Sequence, residues 1–329
     1  MRSRPLTVAA CAALLMLFLA PLVGTEGIAY GTALRDLLTQ PREAWSVDAR
    51  ILHLRLPRVL LAWLAGGGLA VAGAAMQTLL RNGLATPYTL GVSTAGTFGA
   101  FLFLAFPTLM VGLVLPRLAA LACALAVTAL VLMVARRSTR PDGLILAGVT
   151  LNFLFGAAVM LVRYLADPYR LAGLDRWLMG ALDVVGFGVP LGLVPWLVVG
   201  LAVLLRLATA FDQYAFDPGM AEARGIDVRS LRKQGLVASS LLAAAIVASC
   251  GPIGFVGLLV PHAVRAGTGM DHRRLFVGSF LLGAAFLTLA DALARSLELF
   301  GRSSEMPVGI VTALVGGPFF LWLLMRQRD

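Results

Sequence analysis

Apolar residues come in long blocks along this 329-residue chain, separated by short polar breaks. The blocks lie at 6–24, 59–80, 88–106, 108–134, 144–166, 189–210, 234–250, 252–264, 275–297 and 307–325. Judged against the ~20 apolar residues a helix needs to cross a bilayer, they predict about ten transmembrane helices. The block at 252–264 is too short to cross alone, so its helix must be buried in protein or line a cavity. The first block follows Arg2 and Arg4, and no Ala-x-Ala site follows its apolar stretch. It predicts a retained first helix rather than a cleaved signal peptide. Residues 25–57 predict a polar loop.

The longest polar break in the second half runs over 211–233. Asp217-Pro218 predicts an N-cap followed by proline at the first helical position. A short helix from Met220 to Arg224 would then stop at Gly225 in a left-handed conformation. Asp227 caps the next helix, which carries Arg229, Arg232 and Lys233. Met220, Ala221 and Ile226 are expected to be exposed. Such a knob, held outside the bilayer, is a docking point for a soluble partner. A structured connector that touches nothing fits the same punctuation.

Composition fixes the class. Apolar residues make up 59% of the chain and charged residues 13%, against roughly 45–50% and 25% in soluble domains. The net charge of +10 comes almost wholly from arginine, since Lys233 is the only lysine. Basic residues at this level fit positive-inside anchoring better than nucleic-acid binding. An even number of spans puts both termini on one side, and the arginine bias puts that side in the cytoplasm. The first outer loop, with Arg35, Arg42, Arg50, Arg55 and Arg58, runs against the rule and points to another use for its arginines.

The chemistry that is missing also narrows the function. Gln234 follows the single lysine, so the chain has no Walker A motif and does not hydrolyse ATP by that route. His53, His262 and His272 are too scattered for a zinc pair, and Cys11, Cys123 and Cys250 sit singly in apolar runs. No catalytic constellation and no metal motif is present. Asp291 and Arg295, one helical turn apart, are expected to pair. Gly66, Ala70 and Ala74 form a small-residue stripe that favours close packing inside the subunit.

Several stretches carry a resemblance. Arg55-Leu-Pro-Arg58 precedes a glycine-rich span with Gln77, then Arg81-Asn-Gly-Leu-Ala-Thr-Pro87 and Leu90-Gly91. Leu146-Ala-Gly148, Arg176-Trp-Leu-Met-Gly180 and Ala223-Arg-Gly225 follow. Next come Gly254-Phe-Val-Gly-Leu-Leu-Val-Pro-His-Ala-Val-Arg265, Asp271-His-Arg273 and Ala290-Asp-Ala-Leu-Ala-Arg295. The last begins at Glu305-Met-Pro-Val-Gly309 and runs to Phe320. In number and order these resemble the FecCD-type permeases of bacterial ABC importers for iron chelates, haem and vitamin B12, over about residues 50–325. One departure is Gly83, where the family usually has proline after asparagine.

The resemblance implies an all-α polytopic membrane protein of the type II ABC importer permease fold. Residues 1–329 would form one transmembrane permease domain with a cytoplasmic coupling segment at 212–233. It implies a homodimer in the inner membrane, two ABC ATPase subunits that use ATP and Mg, and a periplasmic or lipid-anchored substrate-binding protein. No cofactor is expected on this chain. Met220, Ala221, Ala223, Arg224 and Gly225 match the family's coupling helix. Arg55, Arg58 and Arg295 match positions that face the binding protein. Asn152 and Phe153 match the translocation path, and the inner gate lies near Pro141 and Asp142. A ferric siderophore is the expected cargo, with haem or cobalamin as alternatives. An ion-coupled secondary transporter would need more intramembrane ionisable residues than the sequence offers, and a membrane-embedded enzyme would need paired carboxylates or histidines near one face.

Overall fold

A computed structural model describes residues 4–24, 26–106, 116–137, 141–167, 174–269, 271–297 and 305–326. In chain order the helices are α1 (Arg4–Leu19), α2 (Tyr30–Thr39), α3 (Val47–Leu79), α4 (Val92–Ala105) and α5 (Pro116–Arg137). Then come α6 (Pro141–Leu165), α7 (Leu174–Leu178), α8 (Gly188–Arg206), α9 (Ala208–Phe216) and α10 (Pro218–Ala223). The series ends with α11 (Val228–Cys250), α12 (Val256–Thr268), α13 (His272–Ser296) and α14 (Val308–Arg326). No strand occurs among the described residues. A helix stands in each apolar block. Six of them, α3, α5, α6, α8, α11 and α13, contain stretches long and apolar enough to cross a membrane.

The bundle is built around α3. From Leu64 to Leu79 every residue of this helix is buried, and it packs against α13, α11, α12 and α8. Between helices in lipid, apolar burial alone drives little, so close approach through small side chains carries the association. The stripe on α3 provides it. A Cβ on Gly66 would run into the Gly283 carbonyl of α13, and one on Gly283 would lie 2.6 Å from the Ala70 methyl. Packing inside the subunit is thus what this stripe serves.

The expected loop over 25–57 is corrected. It holds α2 and the first turns of α3, which starts at Val47 with Ser46 as N-cap. At 33 residues α3 is about 50 Å long, well beyond the ~30 Å hydrocarbon core. Its polar first turns extend past the apolar part, and composition alone cannot tell such a segment from a loop. The block at 189–210 also divides, at Leu207, because α9 is amphipathic and buries Ala208, Phe211 and Tyr214.

The short block at 252–264 forms α12, 13 residues long, with Val256, Leu259, Val260, Pro261 and Val264 buried. The non-helical backbone before it is satisfied inside the bundle. Ala181 N donates to the Cys250 carbonyl at 3.0 Å, and nearby Gly309 N donates to the Gly180 carbonyl at 3.1 Å. Irregular backbone at such depth needs internal partners of this kind.

Candidate functional site

The polar break at 211–233 folds as its punctuation predicts. Asp217 is extended, and its Oδ1 accepts from Met220 N at 2.7 Å, with Pro218 opening α10. Gly225 has φ +85°, a left-handed value that ends the helix region at little steric expense. Asp227 Oδ1 then accepts from Ser230 N at 2.9 Å and caps α11.

One expected member of the exposed face is corrected. Ala221 is fully buried and belongs to the main core, while Met220, Glu222, Ala223, Arg224 and Gly225 are exposed. Ile226 is half-buried, and its N–H donates to the Ala221 carbonyl at 3.0 Å. A helix of six residues is too short to declare a face by periodicity, and Ala221 is the small residue turned inward.

The segment is rooted in the bundle by groups to which the sequence assigned no such role. Tyr214 Oη donates to the Leu79 carbonyl at 3.0 Å, and burial pushes its phenol up, so it stays a donor. Asp212 Oδ1 accepts from both the backbone N and the ring Nδ1 of His272, at 2.7 and 2.8 Å. Gln77 Nε2 donates to the Gly257 carbonyl at 3.1 Å. Thr78 Oγ1 meets His272 Nε2 at 2.9 Å, so the last turn of α3 is tied to α12, α13 and α9 at the consecutive positions 77, 78 and 79. Asp212 and His272 lie 60 residues apart, beyond any local pattern.

A second polar cluster lies where α3, α13 and the lead into α14 meet. Asp291 is fully buried. Its Oδ2 accepts from Arg295 Nε at 3.0 Å, the pair expected from their spacing. Its Oδ1 accepts from Arg58 Nε at 2.9 Å. Arg58 Nη1 also donates to Asp183 at 3.1 Å and to Glu305, and Asp183 accepts in turn from Arg176 Nε at 2.9 Å. Three arginines thus meet three carboxylates, so the cluster is neutral as a whole.

Arg58 and Arg295, expected to face a partner, are instead held inside this cluster. Arg295 is 2% exposed, and its remaining nitrogens donate to the Val23 and Ala20 carbonyls at 2.9 and 3.0 Å. Arg58 is 8% exposed. Neither fork is free to take a partner's carboxylate, because leaving these acceptors would strand a buried charge. Arg55 is half-buried and donates to the Pro21 and Glu26 carbonyls at 3.2 and 2.9 Å.

A cleft of about 790 Å³ lies between α4, α6 and α14, lined by Thr94, Thr97, Gly156, Met160, Met179 and Leu314 among others. Asn152 and Phe153 do not line it. Asn152 instead pins α6 to the start of α4, donating to the Tyr88 carbonyl at 2.6 Å and accepting from Thr94 Oγ1 at 2.7 Å. Phe153 is exposed on α6. Pro141 opens α6 and Asp142 follows it; their side chains lie outside what is described. Among the described residues, no group of three or more His, Cys, Asp or Glu is placed to hold a metal ion.

Long apolar helices packed around a buried central one, with ionic groups gathered toward the helix ends, define a polytopic membrane protein. Residues 12–326 match the FecCD transport family, and the chain belongs to it. The hemin transport system permease protein HmuU of Yersinia pestis is 38% identical over 288 residues, 84% of each chain. The vitamin B12 import system permease protein BtuC of Vibrio cholerae is 38% identical over 303 residues, 89% of this chain and 88% of the relative. A solved structure of an inward-facing ABC transporter, assigned to the metal-chelate type, matches with a TM-score of 0.84 at 28% identity over 99% of both chains.

Proposed function

We propose that this chain is the membrane-spanning subunit of an ATP-binding-cassette importer that moves a metal chelate inward by alternating access. The observation that carries the reading, within a FecCD-family chain, is α10. It is a capped helix of six residues, exposed on one side and seated on the core through Ala221 on the other. A short rigid knob of this kind transmits a push, whereas a solvated loop absorbs it. With no Walker A motif in the chain, hydrolysis falls to two separate ATPase subunits that use ATP and Mg. They dock on Met220, Ala223, Arg224 and Gly225, with Ala221 as the seat beneath.

A second copy of this chain completes the path. The face beside the cleft is apolar and exposed, with Met160 at 73% and Leu314 at 66%, and a second copy would close the cleft over. The inner gate is proposed at the start of α6, near Pro141 and Asp142. The substrate-binding protein, periplasmic or lipid-anchored, docks at the end that bears the ion cluster. Arg55, with Arg176, offers cationic groups there, and Arg58 and Arg295 hold the surface in shape. In this orientation the chain lies in the inner membrane with both termini and the 212–233 segment in the cytoplasm.

The cargo in this reading is a ferric siderophore. Haem or cobalamin is the second reading, favoured by the likeness to HmuU and BtuC. Ion-coupled transport is disfavoured because the one fully buried carboxylate among the described residues, Asp291, is already neutralised by two arginines. The test is reconstitution in vesicles with the ATPase and binding protein, offering labelled ferric trihydroxamate, haemin and cyanocobalamin. ATP-driven uptake of one of them is expected; uptake of none, or uptake without ATP, would overturn the reading.

A further inference from the structure

We infer that Asp212 and His272 form the joint through which movement of α10 reaches the long helix α13, which makes both of them positioning residues for transport. The inference rests on the proposed role of α10 as the ATPase contact.

The joint has two features that a casual surface contact lacks. First, a single carboxylate oxygen takes two hydrogen bonds from one residue, the His272 backbone N at 2.7 Å and its Nδ1 at 2.8 Å. Two attachment points fix the direction of α13 relative to α9 as well as its distance. Second, the His272 ring cannot swing. It is 1% exposed and lies between Phe211 and Phe276, with ring centroids at 5.6 and 5.8 Å. Its Nε2 meets Thr78 Oγ1 at 2.9 Å, and the same hydroxyl accepts from Arg265 Nη2 at 2.9 Å. One imidazole thus gathers the start of α13, the middle of α9 and the end of α3, and through Thr78 the end of α12.

α13 is suited to carry what the joint delivers. It has no proline, in contrast to α3, α8, α12 and α14, which contain Pro57, Pro195, Pro261 and Pro318. Its 25 residues make a rod of about 37 Å. Its far end holds Asp291 and Arg295, which grip Arg58 and the ion cluster. A displacement applied at His272 is therefore presented at the other end of the bundle, where the binding protein is proposed to sit. α11 continues from α10 along the chain, so the covalent route moves α11 directly. The Asp212–His272 joint is what adds α13.

The decisive variant is Asp212→Leu, which keeps the branching at Cγ, adds some bulk that the partly exposed site can take, and removes both acceptor contacts. Asp212→Asn retains an acceptor oxygen and serves as the conservative rescue. Two readouts are used. In the purified full chain, with native cysteines replaced, spin labels at Ala223 on α10 and Val277 on α13 report their distance distribution. In vesicles with the ATPase and binding protein, uptake per ATP hydrolysed is measured with whichever of ferric trihydroxamate, haemin or cyanocobalamin the wild type moves. Asp212→Leu should broaden the distance distribution and lower uptake per ATP about tenfold, the factor that ~1.4 kcal/mol represents. ATPase co-purification should persist, and Asp212→Asn should restore both readouts.

A wild-type distance distribution, or wild-type uptake per ATP, in Asp212→Leu overturns the inference. If that variant does not fold, Thr78→Val removes the α3 branch of the same joint without changing size and carries the same expectations. If the wild type moves none of the three probes, the transport reading fails, and the distance measurement still decides the joint.

Discussion

Gly66 of α3 and Gly283 of α13 face each other so closely that each occupies the space where the other's side chain would stand. The backbones of the two most extensively packed helices meet at this point. Valine at either position must push α3 and α13 apart, and overpacking of this kind costs about 1–3 kcal/mol. Thermal unfolding in detergent should show a lowered midpoint for Gly66→Val and Gly283→Val. Gly192→Ala on α8, where nothing lies within 4 Å, should be neutral or slightly stabilising.

Asp291 holds two arginines at once, so its removal is the harshest single change expected in the ion cluster. Asp291→Asn leaves Arg58 and Arg295 buried with less countercharge, and breaking a buried pair costs about 3–5 kcal/mol. Asp175→Asn breaks only the Arg163–Asp175 pair, whose side chains are 47% and 49% exposed, and should cost at most about 1 kcal/mol. The same unfolding assay separates the two. Equal effects would mean that the Asp291 site is wet.

Ala221 and Ala223 are two positions apart on α10 and answer different questions. Ala221→Glu buries a carboxylate without a partner and should cost about 3 kcal/mol or more, loosening the segment from the core. Ala223→Glu is exposed and should stay within about 0.5 kcal/mol of wild type. If the ATPase seats on α10, Ala223→Glu alone should lower its co-purification about tenfold or more. Normal ATPase recovery with Ala223→Glu would reduce the segment to a connector.

Orientation is tested by two cysteines with one apolar helix, α8, between them. Val185 is 87% exposed just before α8, and Ala223 is exposed after it. In a chain with Cys11, Cys123 and Cys250 replaced, Val185→Cys should react with an impermeant maleimide on intact cells. Ala223→Cys should react only after permeabilisation. Labelling of both from outside would overturn the proposed topology.

Local features were legible from the sequence, and features that depend on distant partners were not. The apolar blocks, the Asp217 and Asp227 caps, the Gly225 stop and the Asp291–Arg295 pair each depend on residues within about one helical turn. Arg58 was visible as an anomalous arginine, but its partners come from positions 183, 291 and 305. At those separations the sequence shows the arginine and not the carboxylates that bury it. His272 is too far from the other histidines to suggest a metal site, and its contacts with Asp212 and Thr78 come from distant parts of the chain. Ala221 was placed on the wrong side because six residues hold less than two turns of periodicity.

The Arg58–Asp291 contact also sets a timetable for making the protein. The two residues are 233 positions apart. At the ribosome's ~5–20 residues per second, roughly 10–50 s pass between the synthesis of the arginine and that of its carboxylate. Asp183, 125 positions on, is the first of its partners to be made, so α3, the helix that the others surround, begins with an unneutralised charge near the start of its buried stretch. Glu305, the other strong partner, is made later still. The central helix is therefore made early, and it is fully secured only when carboxylates near the other end of the chain have followed.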